Sequence, residues 1–109
     1  HFAGTHFFNP PRYLKLFEVI PTPHTDPEIT KFLLHYGDLY LGKTSVLCKD
    51  TPAFIGNRVG VWSLLKVIDS MRKYELNVDE IDKLTGPVIG RPKSATFRTS
   101  DLVGLDTLV

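Results

Sequence analysis

His6 is the first residue whose type and setting could do chemistry. It sits in the run Phe2-Ala3-Gly4-Thr5-His6-Phe7-Phe8, an apolar and aromatic wall. Neutral imidazole accepts a proton near neutral pH, so a histidine held in such a wall can serve as a general base. Taken by itself, His6 reads as a core or surface histidine that satisfies a hydrogen bond. Glu18 adds a second group: it shares strand parity with Leu14, Leu16 and Ile20 and so points to the face those aliphatic side chains occupy. A carboxylate there is costly unless it is paired. If the two runs are antiparallel neighbours joined through Asn9-Pro10-Pro11-Arg12, His6 and Glu18 come within hydrogen-bonding reach. A carboxylate behind an imidazole fixes its tautomer and stabilises the imidazolium formed on proton transfer. The competing arrangement is a salt bridge from Glu18 to Lys15 or Arg12 at a sheet edge, and spacing leaves both open.

Asn57 is a neutral donor and acceptor suited to a hydroxyl or carbonyl. It falls in the second turn of a predicted helix, with Gly56 beside it and Gly60 one turn on. Two glycines in one helix cost roughly 1 kcal/mol each against alanine, which implies a close approach by another element or by a ligand. Arg91, Lys93 and Arg98 lie in a Pro/Gly-rich stretch and could meet an anion, although such charges ordinarily mark a solvated loop. Cys48, the single cysteine, has no activating base nearby in sequence and reads as an inert buried thiol. It excludes an internal disulfide and a cysteine-based zinc site, and it fits a reducing compartment. The sequence holds no G-x-G-x-x-G fingerprint and no metal-ligand spacing.

The elements that must position these groups divide into two halves. In the first, Phe2 to Phe8 and Leu14 to Ile20 read as short strands separated by turn chemistry, and a link that short allows only antiparallel pairing. Asp26 as N-cap with Pro27 at the first helical position starts a helix with a predicted buried face of Ile29, Phe32, Leu33, Tyr36 and Tyr40. Gly42 ends it in the left-handed manner, and Thr44 to Leu47 returns as a strand. In the second half, Thr51 and Pro52 open a predicted amphipathic helix to about Tyr74, with an inner stripe through Ile55, Val59, Trp62, Leu65, Ile68 and Met71. Asn77 and Glu80 form a capping arrangement for a short helix to Leu84. Gly86 to Ser100 reads as loop, after which Thr99 or Ser100 can cap a last helix from about Asp101. The change of character at Lys49-Asp50-Thr51-Pro52 suggests a domain boundary, dividing residues 1–50 from 51–109.

The 109 residues carry 13 Lys+Arg against 12 Asp+Glu, a net charge of +1 with no long basic run. That balance provides no field for tracking a phosphate backbone, so nucleic acid is not the expected partner. No apolar stretch approaches the roughly 20 residues that cross a bilayer, and no membrane partner is expected. The sequence opens at His1 without a methionine and stops at Val109 just after a predicted helix start. It is therefore expected to be an excised piece of a longer enzyme.

The strings His6-Phe7-Phe8-Asn9-Pro10, Lys15-Leu16 before Glu18-Val19-Ile20, Lys49-Asp50-Thr51-Pro52 and Phe54-Ile55-Gly56-Asn57-Arg58 are followed by Gly90 to Arg98 and Asp101 to Thr107. Taken together, they resemble the 3-hydroxyacyl-CoA dehydrogenase family. The resemblance covers nearly the whole chain in order and approximate spacing. It implies an α+β piece: the last strands and a helix of a Rossmann-type NAD-binding domain over residues 1–50, then an all-helical substrate and dimerisation domain over 51–109. It also implies that His6 is the catalytic base, Glu18 its partner carboxylate, Asn57 a substrate contact and Asn9 a residue beside the nicotinamide of NAD. The implied parent is a cytoplasmic homodimer that oxidises 3-hydroxyacyl-CoA to 3-oxoacyl-CoA in fatty-acid β-oxidation. Ala53 stands where the family usually has glycine, which on the helical reading is a mild change in a first turn. The glycine-rich phosphate fingerprint and the acidic ribose-binding residue do not occur in this sequence, so the chain alone is expected to be inactive. Two alternatives remain at this stage, a catalytically idle structural or interaction protein on the same fold and a dehydrogenase of a small hydroxy acid.

Overall fold

In the computed structural model, which describes residues 1–104, the chain forms two compact units, His1–Arg58 and another from Val59 onward. The first is a three-stranded sheet with one covering helix. Strand β1 (Ala3–Phe7) pairs antiparallel with β2 (Leu16–Pro21), and β2 pairs parallel with β3 (Thr44–Leu47), giving the order β1-β2-β3. The antiparallel pair follows from the short Asn9 to Arg12 connection, while the parallel pair needs the crossover that helix α1 (Pro27–Leu39) supplies. Lys43 braces the β1–β2 connection through its ammonium, which donates to the carbonyls of Pro11 and Leu14.

The central strand is covered on both faces: Phe17, Glu18, Val19 and Ile20 are all buried. Phe17 and Val19 face α1, where Gly37 allows the helix to lie close, since a Cβ there would sit 2.6 Å from the Phe17 ring. Glu18 and Leu16 point to the other side of the pleat.

Helix α1 begins as the sequence predicts, with Asp26 accepting from the Glu28 N–H and Pro27 in the first turn. Its buried face is different. Gly37 is buried and Ile29, Thr30, Leu33 and Leu34 are half-buried, whereas Phe32 and Tyr40 are exposed at 58% and 73%. Phe32, Tyr36 and Tyr40 instead stack on one another along the outside, with centroids 5.7 and 5.4 Å apart. The close approach at Gly37 turns the Gly37 side of the helix inward and leaves the three rings outside. Gly42 has φ +61°, the left-handed conformation expected after the helix.

Helix α2 runs over Gly56–Lys73, four residues later than Thr51 as cap and Pro52 as first helical residue would place it. Residues 51–55 form turns in which Ala53 (φ +63°) and Phe54 (φ +42°) are both left-handed. Asn57 consequently lies in the first turn, and Ala53 is not in a helix at all. For an L-residue the left-handed region costs roughly 1–2 kcal/mol, part of which glycine returns as unfolded-state entropy. Ala53→Gly is therefore expected to raise stability by about 0.5–1 kcal/mol. The measurement is the urea midpoint at constant denaturant slope, and an unchanged or lowered midpoint would show that the turn is not strained at this residue. The predicted inner stripe of α2 is also mostly open, with Val59, Trp62 and Leu65 between 56% and 61% exposed.

In the second unit, α3 (Val78–Leu84) carries the predicted capping box between Asn77 and Glu80. A single 3-10 turn follows at Pro87–Ile89, then α4 (Phe97–Val103), which starts about four residues before the predicted Asp101. Its N-terminal N–H groups, at Thr96, Phe97 and Arg98, donate to the carboxylate of Asp82 on α3 rather than to Thr99 or Ser100. Ser100 is buried and donates to the Thr96 carbonyl. The stretch predicted as loop thus holds a 3-10 turn and the start of a helix. The resemblance at Leu105 to Thr107 lies outside the described residues.

Candidate functional site

His6 on β1 stands directly across the ladder from Glu18 on β2, and its Nδ1 lies 2.7 Å from Glu18 Oε2. The Glu18 side chain is fully buried, while that of His6 is 31% exposed, so the pair has a sealed carboxylate end and an open imidazole end. Neither Lys15 nor Arg12 forms an ion pair with Glu18 among the described residues, and the edge salt bridge that spacing left open is not formed.

The second carboxylate oxygen, Oε1, accepts from two backbone N–H groups, Ile55 at 3.0 Å and Gly56 at 2.7 Å. Ile55 and Gly56 lie where the left-handed turn at Ala53-Phe54 passes into α2, so the turn geometry presents both donors to one oxygen. Burial by itself would push the Glu18 carboxyl up. The Gly56 N–H, the His6 ring and the Ile55 N–H outweigh it and hold the group below the usual glutamate range. Glu18 is therefore ionised at neutral pH and offers only acceptors. His6 must then donate from Nδ1, and the tautomer leaves the Nε2 lone pair free. The arrangement can take a proton at Nε2 and stabilise the resulting imidazolium, which is the chemistry of a general base.

Aromatic rings border the imidazole. Phe8 meets it edge-on with centroids 4.7 Å apart, and Phe54 lies at 5.6 Å with a 59° tilt. Phe8 can occupy its place because residue 56 is glycine: a Cβ there would collide with the Phe8 ring and crowd Leu16 at 3.1 Å. Of the two glycines flagged in the sequence, Gly56 thus has a packing partner on the strand side. Gly60 has none, with nothing within 4 Å of where a Cβ would stand.

The other candidate residues are more scattered. Asn9, just past the end of β1, and Asn57, in the first turn of α2, are both exposed, and neither side chain is hydrogen-bonded to another described residue. Cys48 is buried after β3, and burial with the nearby Glu18 charge pushes its thiol up, away from nucleophile chemistry. Arg91 donates to the Ser63 hydroxyl at 3.1 Å, and Arg98 lies in α4, so these residues do not form one anion site with Lys93 on any contact seen here. No group of three metal-ligating side chains occurs among the described residues. Sequence reasoning missed the Ile55 and Gly56 amides and the Phe54 ring. Main-chain donors leave no mark in residue type, and the only available signal was the glycine at 56.

Residues 1–51 match the family model described as 3-hydroxyacyl-CoA dehydrogenase, NAD binding domain. Over 98% of its length the chain is 60% identical to a probable 3-hydroxyacyl-CoA dehydrogenase of Bacillus subtilis and 51% identical to one of Deinococcus radiodurans. It spans 14% and 31% of those proteins, less than a third of either. Among solved structures, the crystal structure of M. tuberculosis FadB2 matches 97% of this chain with a TM-score of 0.82 and 36% identity, the match covering 37% of that chain. The sheet-and-helix unit and the helices after it thus have the fold of a segment of that protein. On sequence and fold together, the chain is similar to a segment of the 3-hydroxyacyl-CoA dehydrogenases, and its first 51 residues match the NAD-binding domain of that family.

Proposed function

We propose that this chain carries the acid–base half of an NAD-dependent 3-hydroxyacyl-CoA dehydrogenase that converts 3-hydroxyacyl-CoA to 3-oxoacyl-CoA in fatty-acid oxidation. The observation that supports it most is the His6–Glu18 pair, 2.7 Å apart, with the far carboxylate oxygen fixed by two amides. His6 Nε2 takes the proton of the 3-hydroxyl as the C3 hydrogen departs as hydride, and the C–O bond becomes a carbonyl. NAD+, when bound, supplies the hydride acceptor. In the reverse reduction His6 returns the same proton as an acid. Glu18 orients the ring and offsets the imidazolium charge, and Asn57 is assigned to the substrate oxygen.

The chain's residues fit the nicotinamide end of that cofactor. Asn9 is exposed, three residues along the chain from the partly open His6 ring, and its amide both donates and accepts, as a carboxamide partner must. The pyrophosphate needs a glycine-rich turn at a helix N-terminus, and no such fingerprint occurs in this sequence. Residues 1–50 are accordingly assigned to the edge of an NAD-binding domain and 51–109 to a helical domain. A homodimer through that domain is supported by the exposed Val59, Trp62 and Leu65 of α2. A cytoplasmic site of action is supported by the free, buried thiol of Cys48. No helix among the described residues is long and apolar enough to cross a membrane. No observation favours an idle fold or a small hydroxy acid over an acyl-CoA.

The test is a chimera in which residues 1–109 replace the matching segment of the Bacillus subtilis relative, assayed by NADH formation from a 3-hydroxyacyl-CoA. The chimera is expected to turn over, whereas the 109-residue chain by itself is expected to show no NADH formation. A folded chimera without activity, in a relative shown to be active, would overturn the assignment.

A further inference from the structure

The His6–Glu18 hydrogen bond holds the imidazole at Nδ1 and the Cβ–Cγ bond holds it to the strand, which leaves smaller motions of the ring to its packing. That packing is set by one three-residue segment. Phe54 places its ring 5.6 Å from the His6 ring, and Gly56 leaves the space that Phe8 fills on the edge of the same imidazole, 4.7 Å away. The amides of Ile55 and Gly56 hold the oxygen of Glu18 that His6 does not use. The backbone at Phe54 is left-handed, a conformation an aromatic residue seldom adopts, and it is adopted where the ring reaches His6.

We propose that Phe54-Ile55-Gly56 is the positioning element of the dyad: the Phe54 ring, and the Phe8 ring seated against Gly56, set the plane of His6, while the two amides set Glu18. Phe54 and Gly56 are thus positioning residues that act through His6. The role builds on the general-base reading of His6 but is measured without turnover.

The experiment uses the 109-residue chain labelled with 15N and 13C at histidine. Ring nitrogen shifts report the tautomer of His6, and 13C relaxation at its ring C–H groups reports ring order. The unsubstituted chain is expected to show a single Nδ1–H tautomer with an ordered ring. Phe54→Gly suits the left-handed backbone and removes only the ring, so it is expected to lower ring order with the Nδ1–H tautomer, which Glu18 sets, retained. Phe54→Tyr is expected to restore ring order. Gly56→Ala displaces Phe8 while keeping the amides, and is expected to lower ring order with the Nδ1–H tautomer retained. The amide spectrum of β1 to β3 establishes that each variant is folded. If Phe54→Gly does not fold, Phe54→Leu, which keeps apolar bulk without a ring, takes its place with the same expected loss of ring order. A His6 ring as ordered in the Phe54→Gly or Phe54→Leu variant and in Gly56→Ala as in the unsubstituted chain would overturn the proposal. Loss of ring order in them, alongside an inactive chimera, would uphold the clamp and reject the dehydrogenase reading.

Discussion

Glu18→Gln is expected to slow oxidation of a 3-hydroxyacyl-CoA on the order of a thousandfold while leaving the fold in place. The size comes from the direction in which the new amide must point. Oε1 of Glu18 accepts from the Ile55 and Gly56 amides at 3.0 and 2.7 Å, and in the variant only the Gln carbonyl can take that place, because an NH2 group there would face two donors. The Gln NH2 is then turned toward His6 Nδ1, which must accept. The ring adopts the Nε2–H tautomer, and the atom that should take the substrate proton already carries one. In the Ser-His-Asp triad the corresponding Asp→Asn change, which traps the wrong tautomer, costs about 10⁴ in rate, an upper bound for the loss expected here. The steady-state kcat of the chimera measures the effect, and a kcat within about tenfold of the unsubstituted enzyme would show that Glu18 does not set the tautomer.

The same substitution carries a pH signature in stability. Glu18 is held below the ordinary glutamate value when folded, so its contribution is present above the unfolded value, about 4.3, and is lost as pH falls through the folded one. Gln has no such proton to gain. Acidification from neutral pH should therefore lower the urea midpoint of the unsubstituted chain more steeply than that of Glu18→Gln. Parallel profiles would mean that the carboxylate is not held down by its partners.

Much of this site could be read from residue types because its determinants are local. A short connection between two apolar runs, eight residues from Phe8 to Lys15, permits only the antiparallel pairing that sets His6 against Glu18, and Asp26-Pro27 and Asn77 with Glu80 mark helix starts by chemistry within one turn. The misplaced helix starts share one physical cause. The N–H groups that begin α2 and α4 are taken by carboxylates distant in sequence, Glu18 for Ile55 and Gly56, and Asp82 for Thr96 to Arg98. Thr51 and Thr99 look like caps, but a residue brought in by the tertiary fold does the capping. The buried side of α1 was misread for a different reason. Phe32, Leu33 and Leu34 are consecutive apolar residues, so helical spacing fits more than one stripe, and the close approach at Gly37 decides between them. Ala53 belongs to the same lesson: read as helical it is a mild change, whereas at φ +63° it occupies a position that favours glycine.

His6→Ala is expected to lower kcat by about 10²–10⁴, the range associated with removing a positioned general base. NADH affinity should change little, since the lost group acts on the hydroxyl proton. The informative comparison is the double variant. On the proposed role Glu18 acts through His6, since its Oε2 takes the ring and its Oε1 takes the Ile55 and Gly56 amides. Once the imidazole is gone, there is no tautomer left to set and no imidazolium to stabilise. Adding Glu18→Gln to His6→Ala should then cost little beyond the single His6→Ala loss, because residues that act as one unit are not additive. Independent roles would give losses that multiply, with the double variant slower than His6→Ala by the full factor of the Glu18→Gln variant. Circular dichroism and the urea midpoint of each variant separate a lost role from a lost fold. Multiplied losses in folded enzymes would detach Glu18 from the base and leave its two amide bonds as a purely structural clasp between β2 and the start of α2.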